Sequence, residues 1–147
     1  MIFTQKYHIL KQIAFIANRW QENADKLVEK QLGITVKQWM LLSILEEEFK
    51  NHLPTIGQAS EVSGTSRQNI KRLANELQKK DFLIIASDPK DHRMLRLALT
   101  GKHRDFFSKN KNQELFELLS KEYFENMEDT EIMSLEQSVD KIYQKMK

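Results

Sequence analysis

The amino-acid sequence predicts a mainly α fold interrupted once by a small β hairpin, with long helices at both ends. Three observations predict it. Glycine and proline are scarce, four and two among 147 residues, so few positions interrupt a helix. Apolar residues recur at spacings of three and four through most of the chain, the period of an amphipathic helix. Between residues 82 and 100 that period gives way to alternation. There Leu95, Leu97 and Leu99 interleave with Met94, Arg96 and Ala98, the pattern of a half-buried strand.

The first helix is predicted from about residue 4 to 32, where Leu10, Ile13, Ala14, Ala17, Trp20, Ala24, Leu27 and Val28 keep helical spacing. It is too long to be buried on one small lobe, so part of its stripe is expected to meet another chain. Gly33 stands where a helix end uses positive φ. Thr35 to Gln38 has capping-box form, and Trp39, Leu42, Leu45 and Phe49 follow on a second helix. That helix ends in the loop before Pro54, which disfavours helix for Leu53. Thr55 to Gln58 repeats the box and starts a short helix with Ile56, Ala59 and Val62 inward. Gly64 breaks it, and Thr65 to Gln68, again in box form, opens a helix whose apolar side is Ile70, Leu73, Ala74 and Leu77. Short helix, glycine turn and amphipathic helix together make a helix-turn-helix pattern.

The next three stretches, FLIIAS, DPKDHR and MLRLALT, read as a hairpin with a charged tip, because Asp88-Pro89 forms a turn. A hairpin after a helix-turn-helix is a wing. Thr100 is then placed as the cap of a long helix carrying Phe106, Phe107, Leu115, Phe116, Leu119 and Tyr123. A last helix sets Ile132, Leu135, Val139, Ile142 and Met146 at heptad-like spacing. The expected organisation is one chain of residues 1–147 without linkers. A winged helix-turn-helix lobe at about 35–100 is flanked by helical dimerisation regions at about 1–32 and 101–147. Leu10, Ile132, Leu135, Val139, Ile142 and Met146 are the expected dimer contacts, with intrachain core as the other use of the last helix's stripe.

The net charge of +2 conceals a division along the chain. Residues 65–105 hold ten Lys and Arg against five Asp and Glu, a local excess of five positive charges, whereas residues 1–64 balance and residues 106–147 are net negative. The basic excess coincides with the helix-turn-helix and wing, as a footprint for phosphate does. The polar side of the basic helix carries Thr65, Gln68, Arg72, Asn75 and Lys79, with Asn69 and Lys71 at its shoulders. Such groups hydrogen-bond base edges and phosphates in a major groove; they serve equally well as a solvated face. At the wing tip Lys90, His92 and Arg93 can reach the DNA backbone or minor groove; a merely solvated hairpin turn is the other reading.

With no cysteine in the chain, disulfides, thiolate zinc sites and cysteine nucleophiles are excluded. The four histidines, His8, His52, His92 and His103, are widely separated, so no metal site is expected, although His103 has acidic neighbours. Neither a phosphate-binding glycine loop nor a nucleophile elbow is present, and no enzymatic activity or cofactor is expected. The segment MIFTQKYHILKQ lacks the apolar core of a signal peptide, and no run approaches a membrane span, which predicts a soluble cytoplasmic protein.

The sequence resembles the MarR family of winged-helix transcription regulators over essentially its whole length. The matching residues are Leu32 to Trp39, Ser66 to Leu73, and above all Asp88-Pro-Lys-Asp-His-Arg93 leading to Leu97-Ala-Leu-Thr100. The resemblance implies a homodimer whose terminal helices interlock and whose two lobes bind successive major grooves of a pseudo-palindromic operator. A repressor is the expected sign of regulation. It implies that Asp91 orients Arg93 for the minor groove, that Gln68, Asn69 and Arg72 read bases, and that Thr65, Ser66, Arg67, Lys71 and Lys90 contact phosphates. Many family members lose DNA affinity on binding a small aromatic effector. The cavity for one would be lined here by Tyr7, Phe15, Trp20 and Trp39, residues that serve equally well as core. Asp81 and His103 depart from the family pattern, each standing where relatives commonly have glycine. A second reading stays open, a winged-helix protein-interaction module that does not bind DNA, because fold alone does not fix function.

Overall fold

In the computed structural model residues 2–107 and 109–147 are described, apart from the side chains of residues 106 and 109–112. The chain divides into two compact units, Met1–Met40 and Leu41–Lys147. The first is dominated by α1 (Ile2–Leu32), which buries Ala24 and Val28 and leaves Phe3, Tyr7, Leu10, Phe15 and Ile16 exposed. At 31 residues it is about 46 Å long. Gly33 follows with φ 68°, donating its N–H to the Glu29 carbonyl.

The second helix, α2 (Val36–Glu47), begins with the expected box. The Gln38 N–H donates to Thr35 Oγ1, and the Thr35 N–H donates back to Gln38 Oε1. Asp25 on α1 adds an acceptor for the Val36 N–H at 2.7 Å, occupying one of the donors a helix start leaves without an intrahelical partner. α2 buries Leu41, Leu42 and Leu45. It stops at Glu47, before Phe49, whose ring instead meets His52 edge-on at 5.5 Å. Apolar spacing alone runs on through Phe49, but the turn into Pro54 has to begin earlier.

Within the second unit, α3 (Ile56–Ser63) has the predicted capping box at Thr55 and ends at Gly64, φ 69°. α4 (Arg67–Lys79) buries Ile70, Leu73, Ala74 and Leu77, the four residues of the predicted stripe. Strands β1 (Leu83–Ser87) and β2 (Leu95–Leu99) pair antiparallel, from Leu83 with Leu99 to Ser87 with Leu95. On the other edge of β2 the Leu97 N–H donates to the Pro54 carbonyl and Thr55 bridges to Arg96, so the start of α3 is fastened to the hairpin. Phe82, Leu83 and Leu97 close the core.

Thr100 caps a helix as expected, but α5 (Gly101–Phe106) is short, and α6 (Lys109–Phe124) is separate from it. The break falls at Phe107, whose ring stacks on buried His103 at 4.6 Å and meets Phe82 edge-on. Phe107 is the C-cap, at φ −103° and ψ 40°, and its N–H still donates to the His103 carbonyl at 2.8 Å. The expected apolar side chain at Phe106 lies outside those described. α7 (Asp129–Met146) has no fully buried residue; Leu135, Val139 and Met146 are exposed, and Ile132 and Ile142 are half-buried. The fold is therefore the mainly helical one predicted, with a two-stranded wing.

Candidate nucleic-acid interface

The polar side of α4 is set by the turn before it. Gly64 takes the left-handed conformation, and the Ser60 hydroxyl donates to the Thr65 carbonyl, tying that residue to α3. Helix α4 consequently starts one residue later than its box pattern suggests. Ser66 is the N-cap, accepting the Asn69 N–H at 3.1 Å. Gln68 is thereby released from a capping role and lies exposed on the first turn.

Thr65, though outside the helix, remains part of the site. Its Oγ1 accepts from Asn69 Nδ2 at 2.8 Å, Asn69 Oδ1 accepts from Arg72 Nη2 at 2.8 Å, and Arg72 Nη1 pairs with Glu76 Oε1 at 2.9 Å. These bonds run along the helix surface and fix the amide orientation of Asn69. The Arg72–Glu76 pair spans one turn and is largely exposed, so breaking it to read a base costs only about 0.3–0.5 kcal/mol. Gln68, Lys71, Asn75 and Lys79 line an open depression beside Arg72 and Glu76. Ser66 and Arg67 are exposed at the head of the helix.

At the other end of α4 a left-handed residue directs the chain into the wing. Asp81 has φ 63°; its N–H donates to Gln78 and the Phe82 N–H to Leu77, the two bonds of a Schellman cap. Glycine is the usual occupant, yet Asp tolerates this region better than most. Thr100 Oγ1 donates to the Asp81 carbonyl and Lys102 Nζ to the Lys80 carbonyl, so β2 and α5 complete the cap.

The wing tip is built on Asp88, which is buried. Its Oδ1 accepts the N–H groups of Lys90 and Asp91, folding the tip over Pro89, and its Oδ2 accepts from Arg96 Nε. The same guanidinium donates through Nη1 to the Leu53 carbonyl at 2.6 Å. The Arg96 guanidinium and the two backbone N–H groups hold the Asp88 carboxyl at a pKa of about 2. Asp91 Oδ1 in turn accepts from the Arg93 N–H at 3.1 Å and from Arg93 Nε at 3.3 Å. The Arg93 side chain is otherwise 93% exposed. Lys90 and His92 are exposed beside it.

The structure thus collects Thr65 and Ser66 in the turn before α4 with Arg67, Gln68, Asn69, Lys71 and Arg72 on the helix itself, and Lys90, Asp91, His92 and Arg93 on one hairpin tip. Arg96 is the residue that sequence reasoning missed. Its signal was present: on a hairpin centred on the tip, Arg96 lies diagonally across from Asp88, within reach of a long side chain. Of the four aromatic residues proposed for an effector cavity, Tyr7 and Phe15 are exposed, Trp20 is half-buried and Trp39 is buried. Among the described residues no three metal-ligating side chains converge, and no helix is long and apolar enough to cross a membrane.

A capped short helix, a left-handed glycine turn, a basic helix and a hairpin tied back to the start of the short helix define a winged helix-turn-helix protein. Residues 32–94 match the model of the MarR family. The transcriptional repressor MprA of Escherichia coli (strain K12) is 35% identical over 85 residues, covering 58% of this chain and 47% of MprA. The chain therefore spans about half the length of the curated relatives it matches. The fold extends over the whole chain in solved structures. The transcriptional regulator BldR from Sulfolobus solfataricus has a TM-score of 0.81 at 18% identity, covering 99% of both chains. A mutant MarR from E. coli complexed with operator DNA has a TM-score of 0.77 at 18% identity, covering 97% of this chain and 98% of that one. MepR of S. aureus, in a DNA complex, has 0.74 at 16% identity, covering 92% and 96%.

Proposed function

We propose that this chain is a sequence-specific double-stranded DNA-binding transcriptional regulator, acting as a repressor. The observation that carries the reading is the pairing of an exposed basic helix with a wing whose Arg93 is held at its Nε by Asp91 and is otherwise open. α4 enters the major groove with Gln68, Asn69 and Arg72 toward base edges. Thr65, Ser66, Arg67, Lys71 and Lys90 take phosphates, and Arg93 takes the minor groove with His92 beside it. The relatives support this reading, since MprA carries the name of a transcriptional repressor and the MarR and MepR neighbours were solved with DNA.

The working form is a homodimer on a pseudo-palindromic operator in the cytoplasm. Its support is the apolar surface left on α1 around Leu10 and on α7 along Leu135, Val139 and Met146, with Ile132 and Ile142 half-buried on the same stripe. A small aromatic effector near Tyr7, Phe15, Trp20 and Trp39 completes the proposal. The lobe at about 35–100 binds DNA, and the helices at about 1–32 and 101–147 dimerise.

The test is titration of duplex DNA from the promoter of its own gene at several salt concentrations. Neutralising several phosphates predicts a steep, log-linear loss of affinity with salt. Failure to bind any duplex at low salt refutes the reading and leaves the protein-interaction module in its place. Light scattering checks the dimer, and effector binding would lower the affinity for DNA.

A further inference from the structure

Arg67 and Arg72 both belong to the exposed side of α4, but their guanidinium groups are held differently. That of Arg72 is bonded to Asn69 and Glu76. Arg67 makes no hydrogen bond or ion pair among the described residues, and what it has instead is a seat. A Cβ built on Gly57, in the first turn of α3, would lie 3.2, 3.2 and 3.3 Å from Arg67 Cζ, Nη2 and Nε. Three atoms of the guanidinium at nearly equal distance place its plane face-on to the site where a side chain would begin.

Gly57 has no need of glycine's conformational freedom. Positive φ occurs at Gly33 and Gly64, not here. Glycine is also a poor helix former, so in α3 it is a disadvantage that backbone geometry does not explain. What its bareness supplies is room. A Cβ at 57 requires the Arg67 head to give by a few tenths of an ångström, and because that head is the end of a flexible side chain the fold can absorb the move.

We propose that Gly57 is a positioning residue for DNA binding: it lets the Arg67 guanidinium lie flat on α3 as an uncommitted cation, preset at the head of the recognition helix for a backbone phosphate. The proposal rests on the DNA-binding reading above. It predicts that size at position 57 moves stability and DNA affinity in opposite directions, which a merely structural role does not do.

The experiment uses the full chain and a duplex it binds, with Gly57→Ala and Gly57→Val each made in the parent and in Arg67→Ala. In the parent, Gly57→Ala keeps or raises Tm while weakening DNA binding at low salt about three- to tenfold. The log–log salt slope falls toward that of Arg67→Ala, by up to about 1.8 for two phosphate contacts, one from each protomer. Val weakens binding more than Ala. In Arg67→Ala both effects on affinity vanish. Losses that persist undiminished without Arg67, or that track a fall in Tm, overturn the proposal. If the parent binds duplex and Arg67→Ala changes neither affinity nor slope, the positioning role falls while the DNA-binding reading stands. A parent that binds no duplex at low salt overturns both.

Discussion

Asp88 accepts from Arg96 Nε across the tip end of the wing, and the same arginine donates to the Leu53 carbonyl in the loop before α3. One guanidinium therefore ties the wing to the lobe, while the other oxygen of Asp88 folds the tip through Lys90 and Asp91. The carboxylate form makes these bonds, so its folded pKa of about 2 lies below the ordinary 3.8. For a depressed acid the stabilisation is present above the unfolded pKa and is lost as pH falls through the folded one. Thermal midpoints measured from pH 6 to 2 are expected to fall through this window in the parent and less steeply in Asp88→Asn. An identical pH profile for the two would show that Asp88 is not the group responsible. Arg96→Ala is expected to loosen the wing and weaken DNA binding although Arg96 itself is not placed on the DNA.

The Asp91–Arg93 contact is exposed and, at 3.3 Å, long for a charge-assisted bond, so it contributes little to stability; its expected effect is on aim. Arg93→Ala weakens DNA binding across sequences. Asp91→Ala does so less, and does nothing further once Arg93 is removed. Gln68→Ala or Arg72→Ala instead costs about 1 to 3 kcal/mol and relaxes preference at particular base pairs. Binding measured against a panel of single-base operator variants checks this. Equal, sequence-blind losses from Arg93, Gln68 and Arg72 substitutions contradict the division into readers and positioning contacts.

Much of this interface was legible because its signals are local. The apolar stripe of α4 and the alternation in β2 are periodic patterns that survive without tertiary context. What escaped was set by groups distant in sequence or by competition between neighbours. The Thr65 box is sound as a pattern, but the Ser60 hydroxyl claims the Thr65 carbonyl and moves the cap to Ser66. Arg96 finds a carbonyl 43 residues away, which no spacing rule reaches. The break at Phe107 has no glycine or proline beside it to announce it.

Asp81 is the non-glycine residue with positive φ among those described, at 63°. Its backbone bonds are intact and the Thr100 hydroxyl donates to its carbonyl, so the remaining cost is the left-handed conformation itself. Asp81→Gly removes that cost but enlarges the unfolded ensemble. The balance is expected to favour glycine by about 0.5 to 1 kcal/mol, seen as a raised denaturant midpoint at unchanged m. Asp81→Val, branched at Cβ, is expected to destabilise. A stabilising valine would mean that the turn is not left-handed in solution.

His103 is 1% exposed, and neither ring nitrogen has a hydrogen-bond partner; Nε2 approaches Glu46 Oε2 at 3.4 Å. Burial lowers the imidazole pKa below 6.5, opposed by Glu46 and assisted by Arg104. Depression of a base means that the unfolded chain binds the proton first, so acidification below pH 6.5 favours unfolding until the folded state also titrates. Stability is therefore expected to decline on going from pH 7.5 to 5.5. His103→Leu is expected to remove that slope and to hold its own at pH 7.5, because an apolar group there leaves no polar atom unsatisfied; an orphaned polar group costs about 1–3 kcal/mol. Chemical denaturation at both pH values in the two proteins decides it. A parent more stable at pH 5.5, or a leucine variant with the same slope, would show that the imidazole is charged in the fold and that its contact with Glu46 outweighs burial.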